Sequence, residues 1–248
     1  MTAIDLKPAR VASSATASSH AESKRILTLA VRTLFPGRIA LVSSFGAESA
    51  VLLHMLAEID RSTPVLFLDT GMHFPQTLAY RDTLLEALGL TDVRTIEPAP
   101  AAVAAADPGG RLSESAPDLC CALRKVVPLN DALDGFDAWI TGRKRFQGGA
   151  RSALPYCEPD GNRIKVNPLA MWDAAALEAY MVAHDLPRHP LVADGFCSIG
   201  CYPCTSRVRP GESAREGRWR GKGKTECGIH GDTRAAAAAL AENLDPSI

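Results

Sequence analysis

Short apolar runs and helical repeats alternate along the first two-thirds of the chain. Residues 38–43 (RIALVS), 64–68 (PVLFL), 93–96 and 138–141 (AWIT) are brief, mostly apolar and bounded by turn-forming residues, as buried strands are. Residues 26–35, 47–59 (AESAVLLHMLAEI) and 74–88 repeat apolar positions three and four apart and predict helices. A further helix is predicted over 172–184 with Asp173 as its cap, and 163–166 reads as an edge strand. Residues 148–161 read as loop. From 186 to 230 the periodicity fades into a stretch rich in Gly, Pro, Arg and Cys, and 233–243 is Ala-rich and helical in pattern. Strands alternating with helices predict an α/β fold, a mostly parallel sheet with helices on both faces. Ligands on such sheets bind beyond the carboxyl ends of the strands. Three loops fall there: 43–49, 69–73 and 142–149.

Composition narrows the class. The chain has 248 residues, 46% hydrophobic and 22% charged, with a net charge of −1. That supports a sizeable core and gives no global field for nucleic acid or a membrane surface. No apolar run approaches a membrane span. Residues 1–24 lack a signal-peptide core, and Asp5 and Glu22 speak against a transit peptide. They read as a mobile tail ahead of one domain over 25–248. Within it, 25–185 is the α/β core, 186–231 a cysteine-bearing segment and 232–248 a tail. Seven cysteines without a secretion signal point to metal binding or catalysis in a reducing cytoplasm.

Those cysteines are clustered. Cys120 and Cys121 are adjacent, Cys201-Tyr-Pro-Cys204 follows eighty positions on, and Cys227 stands alone before His230. Two pairs can supply four thiolates, for zinc or for a [4Fe–4S] cluster, while a C-x-x-C alone can be a redox pair. Cationic neighbours such as Lys224 favour a thiolate at Cys227. Cys157 and Cys197 have no partner pattern and read as structural. Arg124, Lys125, Arg207, Arg209, Arg215 and Arg218 flank the two pairs, either as a solvated face or around an anion. The loop SSFGAES, 43–49, sits between a strand and a helix, where small residues admit a phosphate to the helix N-terminus. It lacks the Walker lysine.

Seven stretches in order carry a resemblance: SSFGAES, LDTG at 68–71, CCALRK at 120–125, NPLA at 167–170, SIGCYPCT at 198–205, GESAREGRW at 211–219 and KTECGIH at 224–230. The chain resembles the assimilatory adenylyl-sulfate (APS) reductases and the related phosphoadenylyl-sulfate (PAPS) reductases of the iron–sulfur type, over about residues 38 to 231. The resemblance implies an adenine nucleotide alpha hydrolase-like fold. It also implies reduction of APS to sulfite and AMP, with electrons from an external thioredoxin and an S-sulfocysteine on Cys227. By the same resemblance, Cys120, Cys121, Cys201 and Cys204 would hold a [4Fe–4S] cluster with a structural and electrostatic role. Lys125 would lie between cluster and substrate, Arg215 and Arg218 would clamp anionic oxygens, and His230 would assist Cys227. Ser43, Ser44, Gly46 and Ser49 would face phosphate, Leu68 and Gly71 would edge the adenosine, and Arg143 would reach the nucleotide. Homo-oligomerisation is left open.

One stretch departs from the pattern. Relatives read roughly G-x-R-R-D-Q-S-x-T-R where this chain has GRKRFQGGAR at 142–151. The 3′-phosphate that distinguishes PAPS needs its own cation, for which Arg145 and Arg151 are candidates. In the family the chain resembles, both cysteine pairs usually accompany APS use, so the resemblance implies APS. The alternatives are a PAPS reductase with a cluster, an ATP-dependent sulfur-insertion enzyme acting on RNA, and a zinc-stabilised nucleotide-binding module.

Overall fold

The computed structural model describes residues 9–231 and 233–244. Helix α1 (Ala9–Leu29) runs on through a π turn at Ala30–Leu34. Strand β1 (Ile39–Ser43), helix α2 (Ser49–Ile59), strand β2 (Val65–Leu68), helix α3 (Pro75–Leu88) and strand β3 (Val93–Ile96) follow. Helices α4 (Pro100–Ala106), α5 (Leu112–Ser115) and α6 (Pro117–Cys121) come next; a π turn at Ala122–Val126 joins α6 to α7 (Val127–Ala132). Strands β4 (Ala138–Ile140), β5 (Cys157–Asp160) and β6 (Arg163–Val166) and helices α8 (Ala174–Ala183) and α9 (Thr233–Leu244) complete the order.

The sheet runs β3-β2-β1-β4-β6-β5, parallel throughout except for β5 at the edge. Alternation along each strand sends side chains to two cores. Ile39, Leu41, Val65, Phe67 and Ile140 face α1, α2, α3 and α8; Ala40, Leu66, Leu68 and Trp139 face α7. The expected parallel sheet with helices on both faces is therefore present. Strand order reverses between β2 and β4 on either side of β1. That switch point opens a crevice beyond the carboxyl ends of β1 and β4.

Three expectations need correction. Residues 1–24 are not a tail throughout: α1 begins at Ala9, and residues 1–8 lie outside the described residues. Buried Ser23 donates to the Pro168 carbonyl at 2.6 Å and accepts from Trp172 Nε1 at 2.7 Å, while His20 stacks on Trp172 with ring centroids 4.2 Å apart. An Ala/Ser-rich segment can be anchored by two polar residues that carry no apolar period. The supposed loop at 148–161 contains β5, whose side chains alternate exposed and half-buried, as an antiparallel edge strand allows. Cys157, on β5, and Cys197 are exposed rather than structural. The Asp173 cap is borne out: its carboxylate accepts from Ala176 N–H at 2.7 Å.

The start of the irregular segment carries a pH-sensitive contact. Buried His189 accepts from Leu191 N–H through Nδ1 at 3.2 Å, and its Nε2 lies 3.0 Å from Thr77 Oγ1 on α3. Accepting at Nδ1 requires the neutral ring with its proton on Nε2. Burial pushes the pKa down to about 4 from the ordinary 6.5. The folded value lies below the unfolded one, so the contribution is present above about pH 6.5 and lost as pH falls through 4. The loss should reach roughly 3 kcal/mol at most. Urea unfolding at pH 7 and 4.5 is expected to show a smaller acid destabilisation in His189→Asn than in the parent. Equal declines would contradict this.

Candidate active site

The crevice holds a cavity of about 470 Å³. Its floor is the carboxyl ends of β1, β2 and β4, through Ser43, Leu68 and Trp139. One wall is the serine loop. Ser43 Oγ accepts from Phe45 N–H at 3.1 Å, and Phe45 takes φ +46° while packing edge-on against Phe67. A left-handed phenylalanine costs about 1–3 kcal/mol and persists only where packing enforces it. Here it turns Ser44, Gly46 and Ser49 to the cavity. A Cβ on Gly46 would meet the Ile199 carbonyl at 2.9 Å, so the loop can lie this close to the 197–200 segment only without a side chain.

The opposite wall comes from the segment after β4. Arg143, Lys144, Phe146, Gln147 and Arg151 line the cavity. Buried Lys144 pairs with Glu48 at 2.6 Å, and Gln147 donates to the same carboxylate at 3.1 Å, tying this segment to the serine loop. Arg143 lines the cavity as expected, but its guanidinium is bound to Glu158 and Asn167. Burial lowers its pKa. Arg145 is turned away: its Nε donates to the Leu154 carbonyl, and it lies outside the cavity lining.

The roof is the cysteine-bearing segment. Arg215, Arg218, Trp219, Glu226, Cys227 and His230 all line the cavity. Gly228 takes φ +86°, a value natural to glycine, and the turn closed from Gly231 N–H to Gly228 O brings His230 onto Trp139 at 5.4 Å, stacked. Burial, then Arg143 and Arg151, push the His230 pKa well down, so its imidazole is neutral. Arg218 packs over the Trp219 ring at 4.4 Å and against Gly200, where any Cβ would overlap the guanidinium. Burial lowers the Arg218 pKa, although Cys227 and Cys201 act to raise it. Burial, then Arg151, bring Arg215 down to about 10. Three buried polar atoms on the lining, His73 Nδ1, His230 Nδ1 and Trp219 Nε1, have no hydrogen-bond partner among the described residues. A polar ligand would supply one.

The two cysteine pairs meet behind this roof. Cys120 and Cys121 end α6, and Lys125 lies one turn on from Cys121 across the π turn. Cys120 packs with Cys201 and Met72, and Thr70 Oγ1 lies 3.2 Å from Cys201 Sγ. Burial, then the Cys121 and Cys201 thiols, push Cys120 up to about 12. Burial raises Cys121 as well, against the pull of Lys125. At Cys201, burial is outweighed by Lys125 and the Thr70 hydrogen bond, and the thiol falls below its ordinary value. Lys125 is raised: Cys201, Cys227 and Cys121 more than offset its burial. It lines the cavity and lies close to Cys121 and Cys201. No three His, Cys, Asp or Glu side chains among the described residues are drawn together to hold a metal ion.

All but one of the expected substrate and catalytic residues line this cavity. Gly71 is the exception. It lies in a second, more open hollow with Asp69 and Arg124, where the chain turns at φ +68° after β2. The sequence reading missed Glu48, His73, Lys144, Trp219 and Glu226. Glu48, His73 and Lys144 lie inside the three loops at the carboxyl ends of the strands, and Glu226 adjoins Cys227.

Comparison with known proteins fits this geometry. Residues 38–207 match the phosphoadenosine phosphosulfate reductase domain. The chain belongs to that family. Adenosine 5′-phosphosulfate reductase of Mesorhizobium japonicum is 56% identical over 211 residues, spanning 85% of this chain and 83% of that protein. Phosphoadenosine 5′-phosphosulfate reductase of Gloeobacter violaceus is 45% identical over 210 residues, 83% of this chain and 87% of that one. The crystal structure of phosphoadenylyl-sulfate reductase from Candida auris, a phosphate complex, superposes with a TM-score of 0.64 at 29% identity, over 84% of this chain and 100% of that one. No helix among the described residues is long and apolar enough to cross a membrane.

Proposed function

We propose that this reductase acts on adenosine 5′-phosphosulfate, releasing sulfite and AMP, with Cys227 as nucleophile. The observation that carries the reading is one cavity that joins the serine loop to Cys227, Lys125 and Arg218. The Cys227 thiolate attacks the sulfate sulfur; an S–S bond forms, the bond from sulfur to the bridging oxygen breaks, and AMP leaves with the electron pair. A dithiol donor of the thioredoxin class then attacks Cys227 Sγ, and sulfite departs with the electrons of the S–S bond. The donor's second thiol closes its disulfide, so a dithiol is oxidised as sulfur is reduced. Lys125 and Arg218 are the cavity cations with no carboxylate partner among the described residues. They stand ready for the sulfate oxygens, whose charge the departing AMP redistributes. Ser44 and the backbone of 44–46 would hold the nucleotide phosphate at the α2 N-terminus.

Cys120, Cys121, Cys201 and Cys204 fit a [4Fe–4S] cluster better than a single ion. All are free thiols, Cys120 feels the other three, and a four-iron cube holds its thiolates farther apart than one ion does. When bound, such a cluster supplies a fixed charge beside Lys125. The charge arrangement favours APS over PAPS. Lys144, Arg143 and Arg151 are each paired with a carboxylate, and Arg145 points away, so the 3′-phosphate of PAPS finds no free cation on that wall.

Sulfite release from APS and from PAPS, measured side by side with anaerobically purified protein and thioredoxin, tests this. Turnover of APS with stoichiometric AMP is expected. Preference for PAPS would overturn the substrate assignment, and release from neither would overturn the reductase chemistry.

A further inference from the structure

Glu226, the residue before the nucleophile, is the least expected member of the cavity wall. An acidic side chain beside an anion site weakens binding unless it has another task. Its carboxylate accepts a bidentate pair from Arg151, at 2.6 Å from Nε and 2.7 Å to Nη2, across 75 residues of chain. Arg215 Nη2 lies 3.3 Å from the same carboxylate and donates to the Thr225 carbonyl at 2.8 Å. Arg151 is buried and the Glu226 side chain is 23% exposed, so the pair is shielded from salt, and charge-assisted bidentate geometry is the strong kind. Arg151 also donates to Gln147, which binds Glu48 of the serine loop. One chain of contacts therefore runs from the phosphate-facing loop, through Gln147 and Arg151, to the residue adjoining Cys227.

We infer that Glu226 is a positioning residue: it docks the Cys227 segment onto the nucleotide wall through Arg151 and fixes the thiol in line with the bound sulfate. The inference rests on the proposed reductase reading. It assigns Arg151 to holding the nucleophile's segment rather than to a second phosphate. Misplacing a nucleophile by about 1 Å can cost on the order of 100-fold in rate without weakening binding.

The test is sulfonation of the protein by APS without any thiol donor, followed by mass over a range of nucleotide concentrations. Glu226→Gln keeps size but removes the charge and one of the two oxygens that accept from Arg151. It is expected to lower the limiting rate about 10- to 100-fold with little change in half-saturating concentration, and Glu226→Asp should recover part of the loss. In an Arg151→Gln background, Glu226→Gln should cost much less than in the parent, since Arg215 is then the remaining cation at that carboxylate. An unchanged limiting rate would overturn the inference, as would an equal loss in both backgrounds. Tighter nucleotide binding at an unchanged rate would do so too, because Glu226 would then be only a stand-in anion. Tryptic cleavage within 205–231 needs no substrate and should be several-fold faster in Glu226→Gln than in the parent; equal rates count against docking. Should the parent form no adduct from either nucleotide, the reductase reading falls, and this proteolysis decides the docking by itself.

Discussion

Replacing Cys227 by serine is expected to abolish sulfite release from APS, a loss of about 10³-fold or more, while leaving nucleotide affinity nearly unchanged. The hydroxyl is a far weaker nucleophile than a thiolate, and an oxygen–sulfur adduct could not be opened by a dithiol donor. Cys227 sits on the cavity roof, the serine loop forms a wall, and Cys227 belongs to none of the buried hydrophobic clusters among the described residues. Equilibrium binding of AMP with the serine variant, beside its sulfite assay, separates the two effects. Retained turnover would mean another cysteine attacks, and the exposed Cys197 on the same lining would become the one to test.

Lys125→Ala should cost about 10²- to 10³-fold in the rate of sulfonation at saturating nucleotide, the range for loss of one preorganised electrostatic donor. The ammonium lies beside Cys201, Cys227 and Cys121, and no carboxylate among the described residues pairs with it. Its positive charge is therefore available both to the attacking thiolate and to the sulfate oxygens. Lys125→Arg should restore part of the rate, because charge matters more here than shape. If alanine raises only the half-saturating concentration, Lys125 serves binding alone and the electrostatic account is wrong.

Much of this was legible in the sequence because it is local. Strands β1, β2 and β4 are buried on both faces and read as short apolar runs, so the three loops at their carboxyl ends could be located in advance. The Asp173 cap is a contact within one turn. Cys227 and the two pairs stood out because cysteines are few and their spacing is unusual. What stayed hidden depends on distant partners. Nothing in GRKRFQGGAR says that Lys144 will meet Glu48 or Arg151 meet Glu226, since each pair is assembled only when the sheet closes. The same holds for α1, whose Ser23 and His20 are meaningful only against Trp172. β5 escaped notice because an edge strand with Pro159 and two acidic residues has almost no apolar signal.

These charge pairings alter the reading of the site. Counted by sequence, the cavity is rich in cations; among the described residues only Lys125 and Arg218 of these lack a carboxylate partner. A sulfate with three outer oxygens beside a thiol would suit that pair, as the proposed reading requires.

The most direct measurement is the mass of the peptide bearing Cys227 after the protein meets APS with no thiol donor present. One added sulfonate on Cys227, formed together with one AMP and removed by thioredoxin as sulfite, is the predicted result. Sulfite appearing with Cys227 unmodified, or the sulfonate on a different cysteine, would contradict the account.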